Sequence, residues 1–170
     1  NAPLRYPKTN ETKDRKNLIN VFMDAVKEGS LTAYDPDGDE FVRPMTIDEF
    51  DKVGGADSIQ IKVTRADPPY DEYDSTVFRA FNPDDVIQYR LKEEWFFDKQ
   101  RSELKCRILG ICPMIIARDQ EGNQIEGGQK KLLFWIYYQE ARRILANAEV
   151  ANRFNSAQRM SFEDIFQKRM

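Results

Sequence analysis

Histidine is absent from the 170 residues of this chain. Its absence excludes a Ser-His-Asp triad, a Cys-His pair, His-ligated zinc and an imidazole base that titrates near neutral pH. The paired acids Asp84-Asp85 and Glu93-Glu94 are poor substitutes, since neighbouring residues on a strand face opposite ways and cannot share a proton. We therefore expect a protein that is not an enzyme, with no catalytic residue, no metal site and no cofactor.

Cysteines and long apolar runs are also scarce. No run approaches the roughly eighteen apolar residues that a membrane helix needs. The only cysteines are Cys106 and Cys112. They share one strand parity, which would hold them about 20 Å apart in a continuous strand, whereas a disulfide needs Cα atoms within about 7 Å. We interpret both as small buried hydrophobic residues, and their redox state stays open.

The composition is that of one soluble, folded domain with much solvated surface. Apolar residues make up 41% and charged residues 32%, with a net charge of −3. Such a charge gives no bulk attraction to nucleic acid or acidic lipid. Residues 1–12, which include Pro3 and Pro7, are predicted to form an extended lead-in, and residues 13–170 a single domain. The chain begins at Asn1 without a methionine, so the missing signal peptide carries no information about compartment.

The clearest pattern is a pair of alternating strands within residues 84–113. Alternate residues of a strand face opposite sides of a sheet. On each strand the apolar residues share one parity and charged residues take the other, which predicts one buried and one charged face. The apolar sets are Ile87, Tyr89, Leu91, Trp95 and Phe97 on the first strand, and Leu104, Cys106, Ile108, Cys112 and Met114 on the second. Glu93 falls on the same parity as the first set, where a buried carboxylate would need a partner.

Other segments complete an α+β pattern. An apolar stripe predicts a helix over residues 13–28, ended by Gly29, and similar spacing predicts a helix over residues 140–150. Capping signatures at Thr46 to Glu49 and Ser161 to Asp164 predict two short helices. Strands are expected at 31–34, 59–63 and 132–138, the last as a central strand covered on both faces. Loops are expected at 67–75 and 120–130. We predict an antiparallel β-meander of four to six strands, with helices packed mainly on one side.

An acidic turn, Asp35-Pro-Asp-Gly-Asp39, resembles the start of a calcium loop. The pattern then fails, because Glu40 stands where glycine is needed and Thr46 where the bidentate glutamate belongs. A solvated turn is the better interpretation.

Aromatic runs indicate a contact surface. Trp95-Phe96-Phe97 and the run from Trp135 to Tyr138 place bulky groups on both sheet faces, more than one small domain readily buries. An uncovered apolar face of this kind marks a binding surface. We take as interface candidates Trp95, Phe96, Tyr137, Arg142 and Arg143.

The ordered motifs resemble the GldN/PorN family of the type IX secretion and gliding machinery. The resemblance takes in AVKEG at 25–29, LTAY at 31–34, EEWFFDKQRS at 93–102, RILGICP at 107–113, FWIY at 134–137 and NRFNSAQRMSFEDIF at 152–166. It covers most of residues 13–170. Family members are longer at both ends, so it implies that their leading segment is missing here.

The resemblance implies a non-enzymatic ring subunit. Such proteins are periplasmic and associate with a GldK/PorK-type outer-membrane lipoprotein in a large ring, which serves type IX secretion and gliding. The ring is expected to meet a GldM/PorM-type motor shaft, and copies associate with one another within it.

Two other classes remain open. A ligand- or carbohydrate-binding module would use Trp95 or Trp135 as an exposed platform. A glycosidase would need two acidic side chains about 5 to 10 Å apart across a cleft.

Overall fold

The computed structural model describes residues 4, 15–53, 58–64, 72–78, 81–116, 129–150 and 159–168, the segments 58–64 and 72–78 by their backbone. Nine strands, four α-helices and a short 3₁₀-helix at Pro83–Asp85 occur in these ranges. The helices are α1 (Leu18–Lys27), α2 (Ile47–Asp51), α3 (Tyr138–Asn147) and α4 (Phe162–Lys168). The strands are β1 (Ala33–Tyr34), β2 (Ser58–Thr64), β3 (Glu72–Phe78), β4 (Val86–Asp98), β5 (Glu103–Ile116), β6 (Lys130–Leu132), β7 (Trp135–Tyr137), β8 (Glu149–Val150) and β9 (Met160–Ser161).

The main sheet has five antiparallel strands in the order β1-β7-β5-β4, with β6 also paired to β5. Two further antiparallel pairs, β2–β3 and β8–β9, are separate. The α+β class with an antiparallel sheet is therefore confirmed. Strands β4, β5 and β7 follow one another as a meander, and β1 joins at the far edge beside β7.

The core lies where α3 meets this sheet. Helix α3 contacts β5, β7, α1 and α4. Its Ala141 and Leu145 are buried with Phe22 of α1, Phe134 and Phe162. Burial of large aromatic and aliphatic side chains of this kind is the main stabilising term of a domain.

Helix positions follow the predictions with shifted ends. Helix α1 begins at Leu18. Residues 15–17 are not helical, so the prediction that the helix includes them is wrong. Its end is confirmed by Gly29, whose φ of 74° is one that glycine adopts without strain. Helix α3 begins two residues before the predicted start and ends at Asn147, because the chain then turns to pair Glu149 with Ser161.

Both capping boxes are confirmed. The Thr46 hydroxyl accepts from the Glu49 amide at 3.3 Å, and the Glu49 carboxylate accepts from the Thr46 amide at 2.9 Å. The Asp164 amide donates to Ser161 Oγ at 3.2 Å, and Asp164 Oδ2 accepts from the Ser161 amide at 3.1 Å. Each pair satisfies amides that a helix leaves without partners at its start.

Two loop and strand predictions need correction. The segment 132–138 is not one strand: β6 ends at Leu132, β7 begins at Trp135, and Tyr138 already belongs to α3. The chain breaks there because β6 pairs with Met114–Ile116 of β5 whereas β7 pairs further along, at Gly110 and Ile111. Residues 72–75 of the predicted loop are strand, paired with Ile61 to Thr64 of β2. The other residues of the predicted loops at 67–75 and 120–130 lie mostly outside the described residues.

Candidate interaction surface

The longest strands of the molecule, β4 and β5, form a hairpin with two unlike halves. Pairing runs from Val86 opposite Ile115 to Asp98 opposite Glu103. We call the half of the hairpin that lies away from its turn the near half. There β5 also pairs with β6 and β7, at Gly110, Ile111 and Met114 to Ile116. In the far half, residues 93–108, β4 and β5 pair with each other alone among the described strands. We call residues 93–108 the arm.

One face of the hairpin carries exposed apolar side chains at and beyond the root of the arm. Leu91 is 38%, Trp95 54%, Phe97 59% and Leu104 63% exposed. Leu91, Trp95 and Phe97 share a parity on β4, and Leu104 lies opposite Phe97. The prediction that this whole face is buried is therefore wrong at these positions, because no other part of the chain covers these four side chains fully. We call these four residues the hairpin patch.

The other face of the arm is held by ion pairs. Glu94 lies opposite Arg107 and binds it, and Lys105 Nζ lies 2.9 Å from Asp98 Oδ2. Phe96 sits between these pairs and is also exposed. Exposed cross-strand pairs contribute a few tenths of a kcal/mol each and mainly fix register. The arm therefore has a charged face and a mainly apolar face, and each carries exposed side chains.

The turn at the tip is organised by Asp98. Its Oδ1 accepts from the backbone amides of Gln100 at 3.0 Å and Arg101 at 3.3 Å. The hydrogen bond from Lys105, more than these amides, lowers the pKa of the Asp98 carboxyl below its ordinary value. Ser102 closes the turn with a φ of 53°. The tip thus has a defined geometry that presents the arm as a two-stranded ribbon.

A β-bulge separates the arm from the root of the hairpin. Lys92 lies opposite Gly110 but Glu93 lies opposite Ile108, so Leu109 is an extra residue on β5. The bulge changes which residues of β5 share a face. Cys106 lies opposite Trp95 and Cys112 opposite Arg90, and residues five apart on β4 face opposite sides.

The two cysteines therefore do not share a face, and that prediction is wrong, because sequence parity does not survive a bulge. Cys112 is buried, as predicted, and its burial raises the pKa of its thiol to about 12. Cys106 is half-buried.

The ring of Phe41 packs against β5 at Gly110, next to the start of the arm, which we call its root. We call this ring the Phe41 plug. Phe41, with a φ of 55°, places its ring over Gly110, where an added Cβ would lie 2.4 Å from the ring tip. The ring contacts Tyr34, Trp135 and Tyr137 with centroids 5.7, 6.0 and 5.4 Å away. Glycine inside a strand often marks such a close approach.

Lys92, on the neighbouring strand β4, also contacts the Phe41 ring. Its Nζ lies 5.5 Å from the Phe41 ring centroid and 3.2 Å from Asp39 Oδ1. In the same turn Arg43 Nη1 lies 2.8 Å from Asp35 Oδ2. The described residues hold no group of three or more metal-ligating side chains.

Comparison with protein families decides the relationship of this chain. The family described as "Gliding motility associated protein GldN" matches residues 1–170, the full length of the sequence. The chain belongs to the GldN family. No curated protein matches it closely enough to be compared. Within its described residues, no helix is both long and apolar enough to cross a membrane.

In this GldN-family chain, the five interface candidates lie in two groups. Trp95 and Phe96 are on the arm and exposed. Tyr137 lies opposite Gly110, about 10 Å along the hairpin from the level of Trp95, and is half-buried against Phe41. Arg142 and Arg143 lie exposed on α3, and Arg142 donates to Glu163 Oε1 at 2.7 Å and 2.9 Å.

Sequence reasoning missed Leu91, Phe97 and Leu104 as surface residues. Their alternation indicates a buried face, and nothing in the pattern shows which part of that face the rest of the chain covers. The signal that was available is the run Trp95-Phe96-Phe97, which places apolar groups on both faces at once. Such a run marks either a strand that the protein itself covers on both faces or a surface that a partner covers.

Proposed function

We propose that this chain is a non-enzymatic structural subunit of a periplasmic ring associated with the outer membrane. In this proposal it assembles with a GldK/PorK-type lipoprotein and supports type IX secretion and gliding motility. The family match over residues 1–170 supports the gliding role. The finer assignments come from the resemblance together with the surface described above.

The observation that carries the proposal is the hairpin patch. Isolated exposed apolar residues are ordinary, but Trp95, Phe97 and Leu104 lie together on one face of the arm, with Leu91 near its base, and such a cluster is of the kind that partners cover. Tryptophan and phenylalanine are also the residues that dominate the central part of protein interfaces. The charged face with its paired side chains suits solvent or a polar rim.

Mechanistically, the arm acts as a rigid strut. The bulge, the Phe41 plug and the Asp98 turn fix its root and its tip, so a partner that binds the patch meets a surface that is already formed. Pre-formed surfaces lose less conformational entropy on binding. A subunit of this kind transmits position and force within an assembly and needs no chemistry of its own.

The test uses Leu104→Asp, which charges the patch from β5 and leaves β4 unchanged. Val42→Asp is the matched control, because Val42 is 78% exposed and lies outside the hairpin. Each variant and the unchanged chain are co-expressed with the lipoprotein, and the co-complex is measured by light scattering after size exclusion. We expect Leu104→Asp to lower co-complex affinity at least about tenfold and Val42→Asp to leave it intact.

Two results would contradict the proposal. The first is a lipoprotein complex that forms equally well with Leu104→Asp. The second is failure of the unchanged chain to co-elute with the lipoprotein at all.

A carbohydrate- or ligand-binding module is the second candidate, and the exposure of Trp95 favours it. The chain has two tryptophans, of which Trp135 is 3% exposed. Fluorescence quenching by soluble oligosaccharides would therefore report on Trp95. Saturable quenching that Trp95→Ala abolishes would favour this candidate over the structural subunit.

A further inference from the structure

Two sites beside the hairpin carry exposed charges of opposite sign that the chain itself does not pair. At the tip of the arm, the side chains of Lys99 and Arg101 are exposed and make no ion pair among the described residues. At the root, Asp37 and Glu40 are exposed and, within the same part of the chain, also make none. We call residues 35–43, which carry these two acids and the Phe41 plug, the acidic loop.

The neighbouring charges in both places are already used within the chain. Four ion pairs account for them: Lys105 with Asp98, Arg107 with Glu94, Lys92 with Asp39, and Arg43 with Asp35. The charges that remain available to another molecule are therefore two cations at the tip and two carboxylates at the acidic loop.

The acidic loop lies on the charged face of the hairpin. The Phe41 ring occupies the space into which a Cβ at Gly110 would point, and Lys92 reaches the same ring and Asp39 from β4. Phe96 shares the strand parity of Lys92, so it points to this face as well, and it is 44% exposed. One face thus presents the acidic loop, then an exposed ring, then the basic tip.

The spacing along this face is nearly symmetrical. Phe96 lies four residues beyond Lys92, about 13 Å, and Lys99 lies three residues beyond Phe96, about 10 Å. The exposed ring is therefore close to the midpoint between the acidic loop and the basic tip.

We propose that this face binds the same face of a second copy of this chain, with the two arms antiparallel and the basic tip of each copy against the acidic loop of the other. A two-fold axis then passes between the two arms near Phe96. The interface is isologous, because both copies contribute the same surface.

This arrangement has the composition of a specific interface. The two Phe96 rings meet near the axis and form an apolar centre, and the opposite charges of Lys99, Arg101, Asp37 and Glu40 form a rim at each end. The ion pairs that flank Phe96 are already complete within each chain, so covering them leaves no charge without a partner.

Charge also selects the orientation of the two arms. Parallel arms would bring the two basic tips together and the two acidic loops together, and like charges facing each other across an interface disfavour it. Antiparallel arms place opposite signs together at both ends.

The hairpin patch takes no part in this contact. Trp95 and Phe97 have the opposite strand parity to Phe96, so the patch lies on the other face of the arm and stays open to a different partner. The inference goes beyond the proposed function, and its tests use this chain alone, so it can fail while the lipoprotein contact stands.

A charge-exchange test measures the contact. One variant combines Lys99→Glu with Arg101→Glu, and the other combines Asp37→Lys with Glu40→Lys. Each alone places like charges together at both ends and should self-associate at least about tenfold more weakly than the unchanged chain. An equimolar mixture restores opposite charges at both ends and should form heterodimers about as tightly as the unchanged chain forms homodimers.

Arg143→Glu is the matched control, because Arg143 is exposed on α3 and outside this face. It should leave self-association unchanged. Analytical ultracentrifugation measures the affinities, and circular dichroism confirms that each variant is folded. A mixture that behaves like the separate variants would overturn the pairing of tip with loop. An unchanged chain that stays monomeric at its highest attainable concentration would overturn the second copy as the partner.

Cross-linking reads the geometry independently of affinity. In a Cys106→Ser background, chains with Gln100→Cys at the tip are mixed with chains with Gly38→Cys in the acidic loop and treated with a short bismaleimide. Nothing lies within 4 Å of a Cβ added at Gly38, so this substitution is accommodated. We expect cross-linked dimers in the mixture and not with either variant alone, because the two tips, like the two loops, lie about 23 Å apart.

The two cross-linking results that would overturn the arrangement are distinct. No cross-linked dimer in the mixture would separate the tip from the partner's acidic loop. Equal cross-linking of Gln100→Cys on its own would place the two tips together, as in parallel arms.

Discussion

The two halves of the β4–β5 hairpin have opposite surroundings. In the near half, Ile111 and Cys112 are buried in the part of the sheet where β5 also pairs with β7, whereas in the far half Phe97 and Leu104 are exposed. Apolar and polar residues alternate along β4 from Ile87 to Lys92 in the near half and along β5 from Glu103 to Ile108 in the far half, while β5 has no charged residue from Ile108 to Ile116. The difference shows that alternation specifies a strand and its faces, while burial depends on elements contributed from elsewhere in the chain.

The largest expected effect is on the free energy of unfolding, when an apolar side chain is shortened in the near half and, for comparison, in the arm. Ile111→Ala should lower the free energy of unfolding by about 2 to 5 kcal/mol, since it leaves a cavity in a packed core. Leu104→Ala in the arm should change it by no more than about 0.5 kcal/mol, as exposed substitutions do. Urea unfolding of both variants measures the contrast. Equal losses of unfolding free energy in the two variants would show that the arm is packed like the core, which would contradict the difference between the two halves.

The root of the arm offers the next contrast. Gly110→Ala would place a Cβ against the Phe41 ring and 3.2 Å from the Ile136 carbonyl oxygen. Overpacking of this kind costs about 1 to 3 kcal/mol. Gly38→Ala is the matched control, because nothing lies within 4 Å of its added Cβ. Thermal unfolding distinguishes them, and an unaffected Gly110→Ala would show that the Phe41 plug is not packed as described.

The smallest expected effect is at the tip. The lowered pKa of Asp98 means that its ionised form stabilises the turn above its ordinary pKa of 3.8. That contribution is lost as the pH falls from 3.8 through the lower folded value. The amide resonances of Gln100 and Arg101 should report this titration by NMR, and Asp98→Asn should abolish it. Amide shifts that titrate unchanged in Asp98→Asn would show that Asp98 does not hold the turn.

Local signals in the sequence predicted much of the fold. The capping boxes at Thr46 and Ser161, the stop at Gly29 and the strand at β4 were each predicted from a few neighbouring residues, and all are confirmed. Strand β3 was missed at residues 72–75, since its acidic composition resembles a loop and its pairing partner β2 lies elsewhere in the chain.

The rest depended on tertiary contacts that a pattern does not carry. One extra residue, Leu109, reversed the relation between Cys106 and Cys112. The change of pairing partner along β5 broke the expected strand at Leu133 and Phe134. For the candidate surface, the sequence identified Trp95 and Phe96 from the aromatic run. It did not identify Leu104, whose exposure depends on which elements of the folded chain pack against the arm.

The most direct test of the central claim, that the arm is a contact surface, is hydroxyl-radical footprinting read by mass spectrometry. The dilute purified chain is compared with the native assembly isolated from cells. We expect Trp95, Phe97 and Leu104 to be oxidised in the chain alone and protected in the assembly, with Trp135 protected in both. Equal oxidation of the arm in both samples would contradict the account.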